Sequence, residues 1–168
     1  MKYIDFDGVI LDTEDLLFEE WRKIPNRREL PESEKIKYVQ NANWKKIINE
    51  SPIINDSVYY LKWMDPTENA ILTKVHSLEN EATNKVIWVK ENKIMLPVII
   101  VPYPVKKCDV VIARGNELVD DGLFNLEEWE QEGGYPVLFD KNGDNHDSWH
   151  RENTKGYPRV RSLERYKR

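Results

Sequence analysis

The chain has 168 residues, 40% hydrophobic and 33% charged, which suits one domain with a real core and a small insertion. Its formal net charge of −5 argues against a protein that coats a nucleic-acid polymer. No apolar run reaches the length of a membrane span and no N-terminal signal pattern is visible. A lone cysteine, Cys108, leaves no intramolecular disulfide, so the expectation is a cytoplasmic protein without membrane contact. One Cys and three scattered His do not make a structural zinc site.

In chain order, residues 2 to 6 read as a strand. Thr13 is expected to cap a helix running to about Arg22. Lys23 to Pro31 is a polar loop. A second helix is expected from Pro31–Glu32 to Ser51, with Ile36, Val39, Asn43 and Ile47 along one face and Trp44 and Ile48 beside them. A third follows Asn55 or Asp56 and stops at Asp65–Pro66. From residue 69 strands and helices alternate. Strands are expected at 70–75, 97–101, 117–119 and 137–139. One helix follows the cap Ser77, with an apolar face of Leu78, Ala82, Val86 and Val89. Another runs from Asn125 to Glu132 and ends at Gly133–Gly134. The stretch from Arg151 holds seven Lys or Arg against two Glu and is expected to be largely a solvated basic tail, with Pro158 and Leu163 as signs of docking.

Apolar strands separated by helices imply crossovers, hence a parallel sheet covered on both faces. The expected fold is α/β: a Rossmann-like parallel sheet flanked by helices, with its first strand in the middle. The helical block at 13–65 is too long for a plain crossover and is expected to form a small cap over a core made of 1–12 and 66–168. Parallel sheets bind ligands at the carboxyl ends of their strands. Asp5 and Asp7, Thr73, and Asp120 with Asp121 all fall at such ends.

Asp5 and Asp7 lie two residues apart on an extended backbone, so they point to one side. Like charges that close stay ionised together only with a cation between them, and Mg²⁺ takes hard oxygen ligands of this kind. Gly8 permits a sharp turn after the pair. An apolar strand ending in Asp120–Asp121 is a second costly carboxylate pair. Residues 116 to 132 hold seven Asp or Glu and no Lys or Arg, of which the glutamates read as a solvated helix face. Taken alone, Thr73 reads as a β-branched strand residue, and Lys106 and Lys107 as solvated lysines.

The stretch Asp5-Phe6-Asp7-Gly8-Val9-Ile10-Leu11-Asp12-Thr13-Glu14 resembles the first motif of the haloacid dehalogenase superfamily of phosphohydrolases. The short chain resembles its 5'(3')-deoxyribonucleotidase branch. The resemblance implies a nucleophile at Asp5 that forms an aspartyl-phosphate. It implies a general acid and base at Asp7, whose backbone carbonyl also meets the metal. Thr73, in the context Ile-Leu-Thr, matches the phosphate-binding hydroxyl, with Ser77 a weaker rival. Lys107 matches the lysine that offsets charge, with Lys106 as the alternative. Asp120 and Asp121 match the metal-binding acids, with Asp120 favoured as the direct ligand. The four motifs span residues 5 to 121 in the family's order, while 13–65 matches no nucleotidase pattern.

The function so implied is a Mg²⁺-dependent phosphatase for a small phosphomonoester, with a nucleoside monophosphate as one candidate. Trp21, Tyr38, Trp44, Tyr59, Tyr60 and Trp63 are candidates to stack a base, and Arg22, Lys23, Arg27 and Arg28 to meet phosphate. Against a cationic funnel, residues 15 to 65 carry nine basic and nine acidic residues. Two other classes compete: a receiver domain phosphorylated on Asp, against which Asp7 argues, and a non-catalytic phosphate- or Mg²⁺-binding module. The oligomeric state is open.

Overall fold

A computed structural model describes residues 1 to 167. Six parallel strands form one sheet, β1 (Lys2–Ile4), β2 (Asn69–Val75), β3 (Val98–Pro102), β4 (Glu117–Asp120), β5 (Tyr135–Phe139) and β6 (Arg159–Val160). Their order is β3-β2-β1-β4-β5-β6. The expected Rossmann-like α/β sheet is thus present, with β1 in the middle. Ile4 pairs in register with Ile71 on one side and Val119 on the other.

Alternation along these strands feeds two cores. Ile4, Ile71, Val119 and Val137 pack into one buried cluster. Tyr3, Ala70, Leu72, Leu118 and Leu138 pack into a second. Neighbouring residues point to opposite faces, so β1 to β5 each contribute to both layers, and β6 adds Val160 to the first.

The helices are α1 (Glu14–Lys23), α2 (Glu32–Asn41), α3 (Trp44–Glu50), α4 (Ser57–Leu61), α5 (Thr83–Glu91), α6 (Lys107–Val110) and α7 (Leu123–Gln131). The single helix expected over 31–51 is broken in two. Ala42 is extended (φ −60, ψ 154), and the Asn43 side chain caps α3 by accepting from the Lys46 N–H at 3.1 Å. Asn favours a cap over a helix interior because its side chain bonds nearby backbone. Trp44 then turns inward and donates Nε1–H to Val39 O at 2.8 Å.

The stretch 13–65 shares the main cluster with the sheet. Phe18, Val39, Trp44, Ile48 and Leu61 pack there alongside Ile4, Phe6 and Ile71. It is α1 and α2 that overhang the strand ends.

A π-type turn at Leu78–Ala82 precedes α5. Its wider turn rotates the helix that follows. Leu78 and Val86, expected in the core, are 58% and 42% exposed, while Glu81, Ala82, Lys85, Trp88 and Val89 are buried. The C-terminal stretch is not a free tail: Val160 lies in β6, Leu163 and Tyr166 are buried, and Arg151, Lys155 and Arg165 pair with Glu127, Glu130 and Glu117. Among the described residues no helix is long and apolar enough to cross a membrane.

Candidate active site

Because all strands run one way, their carboxyl ends meet on one edge. Asp5 follows β1, Asp120 ends β4 and Asp140 follows β5. The chain order reverses between β1 and β4, where parallel sheets open a crevice for ligands.

Asp5 is nearly buried, and its N–H donates to Val119 O at 2.9 Å. Lys107, buried at the start of α6, places Nζ 2.7 Å from Asp5 Oδ1 and 2.6 Å from Asp120 Oδ2. Lys106 is exposed and pairs with Glu128 at 3.3 Å instead. The structure therefore brings Lys107, not Lys106, to Asp5.

Asp120 is held by three donors. Besides Lys107 it accepts from the Gly122 N–H at 2.9 Å and from Asn125 Nδ2 at 3.1 Å. Asp5, Asp120 and Asp121 each present a carboxylate oxygen within 4.8 Å of the others. Burial pushes Asp5 up to about 7 against the pull of Lys107, with the charges of Asp120 and Asp7 adding to the rise. Burial, then the charges of Asp120 and Asp5, push Asp121 well above the usual carboxylate range. Three convergent hard oxygens that repel one another fit a divalent cation such as Mg²⁺.

Asp7 stands on the same turn, 32% exposed at its side chain. Its Oδ1 accepts from Thr13 Oγ1 at 2.8 Å. Thr13, expected to cap α1 with its side chain, makes no such cap bond and spends its hydroxyl on Asp7. The other oxygen, Oδ2, receives Lys85 Nζ at 2.5 Å. Thr73 is fully buried; its Oγ1 accepts from the same ammonium at 3.1 Å and lies 3.4 Å from Lys74 O. Ser77 caps the π-type turn by accepting from the Asn80 N–H at 3.1 Å.

Asp5, Asp7, Asp120 and Asp121 floor a cavity of about 490 Å³ roofed by α1 and α2, and Thr73, Ser77, Lys85 and Lys107 lie behind that lining. Of the six aromatics expected to contact a substrate, only Trp44 lines it. Trp21 and Tyr38 pack on each other with ring centroids 5.1 Å apart, and the Tyr38 hydroxyl donates to Leu17 O. Tyr59, Tyr60 and Trp63 cluster on α4 and just beyond it, outside this cavity. Arg22 lines the cavity, but Lys23, Arg27 and Arg28 do not.

Several lining or supporting residues escaped the sequence reading. Phe18 and Trp149 meet edge to face at 6.3 Å, and Lys35 Nζ lies 5.5 and 5.1 Å from their ring centres. Trp149 sits on the loop after β5, which the Asp140 carboxylate organises by accepting from the N–H groups of Gly143, Asp144 and Asn145. Glu81 and Lys85 were concealed by their i,i+4 spacing, which usually marks a solvated pair.

No protein-family model matches the sequence, and no curated protein matches it. Solved structures do match. L-2-haloacid dehalogenase from Xanthobacter autotrophicus gives a TM-score of 0.59 at 13% identity, over 97% of this chain and 94% of that one. A putative HAD-hydrolase from Bacillus subtilis, bound to magnesium, gives 0.54 at 13% identity, over 98% and 95%. D,D-heptose 1,7-bisphosphate phosphatase from Burkholderia thailandensis gives 0.55 at 10% identity, over 97% and 92%. The chain thus has the fold of haloacid dehalogenase-like hydrolases, a class whose members here include dehalogenases and phosphatases. At these identities the likeness is one of fold, and none of the three is a deoxyribonucleotidase.

Proposed function

We propose that the protein is a hydrolase of small phosphomonoesters that works through an aspartyl-phosphate on Asp5. The observation that carries this reading is the setting of Asp5. It follows the central strand directly, is held by Lys107 at 2.7 Å, and stands beside Asp120, Asp121 and Asp7 at the floor of the cavity. In this reading a carboxylate oxygen of Asp5 attacks phosphorus, and the P–O bond to the leaving group breaks. Asp7 gives its proton to the departing oxygen. It then takes a proton from the water that attacks the aspartyl-phosphate, which restores Asp5 and releases phosphate. Lys107 offsets charge at Asp5, while Thr73, buried behind the floor and outside the cavity lining, reaches Asp7 only through the shared Lys85 ammonium.

Asp5, the carbonyl of Asp7 and one of Asp120 or Asp121 are the residues that would hold Mg²⁺. The cation, when bound, offsets the negative charge that gathers on the phosphoryl oxygens. Asp121 is the better direct ligand, because Lys107, Asn125 and Gly122 already occupy Asp120. A halide leaving group needs neither a proton nor a cationic phosphate site, so the cluster is better suited to phosphate than to dehalogenation.

A nucleoside monophosphate is the finer proposal. It rests on the cavity's size, within the range of small-molecule pockets, and on the planar groups Phe18, Trp44 and Trp149 that line it. The free Cys108 supports a reducing, cytoplasmic setting. The test is phosphate release across a panel of phosphomonoesters and a haloacid, with and without Mg²⁺. Release from a phosphomonoester only with Mg²⁺ is expected; halide release alone would overturn the reading.

A further inference from the structure

Lys85 is fully buried on α5, one turn beyond Glu81. Its ammonium reaches Asp7 Oδ2 at 2.5 Å, Glu81 Oε1 at 2.7 Å and Thr73 Oγ1 at 3.1 Å. An ammonium has three protons, and these three oxygens can take them. The charge also lies over the rings of Phe6 and Trp44, at 5.4 and 5.2 Å. Glu81 is tied in turn, since its Oε2 accepts from the His76 N–H at 2.8 Å.

Fold stability alone does not account for this lysine. Burying an ion pair costs about as much desolvation as its attraction returns, and apolar side chains of the same volume often serve as well or better. The space between Phe6 and Trp44 would suit such a side chain. What an apolar residue would not do is hold Asp7.

The Asp7 carboxylate is gripped on both oxygens from two different elements. Thr13, at the start of α1, holds Oδ1 at 2.8 Å, and Lys85 holds Oδ2. That grip leaves the group facing the cavity. We propose that Lys85 is a positioning residue that fixes the Asp7 carboxylate at the cavity floor and couples it to Thr73 through a shared ammonium. The proposal rests on the phosphohydrolase reading above and extends it beyond the groups that meet the substrate. A proton donor must keep its oxygen within hydrogen-bond reach of the leaving group, and afterwards of water, so a freely rotating Asp7 loses both steps. Lys107 serves Asp5 in a parallel way, so each aspartate of the pair has its own buried lysine.

The experiment uses the full chain with Mg²⁺ and two substrates, an alkyl phosphate and a nitrophenyl phosphate. Lys85→Met is expected to lower kcat for the alkyl ester by about 10²-fold, the lower end for general acid–base catalysis, with KM nearly unchanged. The nitrophenyl ester should lose less, because its leaving group needs little protonation. In a crystal structure of Lys85→Met, Asp7 should leave its cavity-facing rotamer. A merely structural lysine would instead lower the melting temperature and reduce both activities in equal proportion. If Lys85→Met folds and treats both esters as wild type does, or keeps Asp7 in place, the proposal is overturned.

Should Lys85→Met not fold, the double variant Asp7→Asn/Lys85→Met removes the Asp7–Lys85 charge pair together and leaves Glu81 with the His76 N–H at 2.8 Å. It is expected to match Asp7→Asn alone, because a residue that acts through Asp7 adds nothing once Asp7 is disabled. A further loss in the double variant would overturn the proposal. A wild type that releases no phosphate from any ester would instead sink the phosphohydrolase reading, and the Asp7 rotamer would still decide the role of Lys85.

Discussion

Gly8 and Asp121 face each other so closely that a Cβ on Gly8 would sit 1.8 Å from Asp121 Oδ2. Gly8 also has φ +72, in the left-handed region that side chains avoid. Its turn is closed by its own N–H donating to Leu11 O at 2.8 Å. Two independent features thus require glycine where the loop after β1 meets the loop after β4. Gly8→Ala should lose roughly 1–2 kcal/mol to the backbone alone, more once Asp121 is displaced. Thermal melts should fall, and Mg²⁺ affinity should fall with them; an unchanged melt and unchanged affinity would show that the two loops yield freely.

Asp5 and Asp7 are alike as residues but differ in their surroundings. Asp5→Asn should abolish turnover, because an amide is a poor nucleophile. Asp7→Asn should lose about 10²–10⁴-fold and still form some aspartyl-phosphate from an activated ester. Borohydride, which reduces an aspartyl-phosphate, should then mark a peptide containing residue 5 in Asp7→Asn and none in Asp5→Asn. Turnover by Asp5→Asn at the wild-type rate would rule out the mechanism.

The two acids at the end of β4 should separate in a metal titration. Asp121→Asn is expected to weaken Mg²⁺ binding by calorimetry more than Asp120→Asn does. Asp120→Asn should instead release Lys107, which pairs with it at 2.6 Å, and impair turnover at saturating Mg²⁺. The reverse ranking of affinities would return the direct contact to Asp120.

Asp140 offers a pH test apart from the chemistry. Burial pushes its carboxyl up, but the N–H groups of Asn145, Gly143 and Asp144 and the Arg159 guanidinium more than offset this and hold it below the usual range. A carboxyl depressed in the folded state adds stability that is complete above the unfolded value of about 3.9 and is lost as pH falls through the folded value. Asp140→Asn should therefore cost about 1–3 kcal/mol at neutral pH, because an amide nitrogen would face backbone N–H groups. The gap between the two proteins should narrow in acid; a gap that is constant with pH would mean the charge is not what stabilises the loop.

How much was legible from residues alone differs from part to part. The acids at strand ends were legible because residue type and strand boundary together carry their meaning: carboxylates that close need a cation wherever they meet. The parallel sheet was legible because apolar strands separated by helices can be joined in few other ways. Lys107 over Lys106 was legible only through the family resemblance, not from the residues themselves. Lys106 is the extended residue before α6 and Lys107 its first helical residue, and only the seat of α6 against α7 and β2 chose which one turns inward. Leu78 and Val86 were misplaced, and Lys85 concealed, because the π-type turn before α5 shifts the helix face, a rotation that no hydrophobic period announces. Trp149 was passed over because loop residues have no period, and its place depends on the grip of Asp140 and Asp147 on the backbone beyond β5, Asp147 taking the Trp149 N–H at 3.0 Å.

By itself, then, the sequence determined the alternation of strands and helices from β1 to β5, the parallel layering and the carboxylates of the floor. These follow from local periodicity and from charge, which act at short range along the chain. Tertiary structure alone decided which lysines are buried, which aromatics reach the cavity, and that the last basic stretch closes the sheet as β6. Each of those depends on what a side chain meets across the fold. Lys85 lies 78 residues from Asp7 in the chain, and only the packing of α5 against β1 and β2 brings its ammonium to that carboxylate.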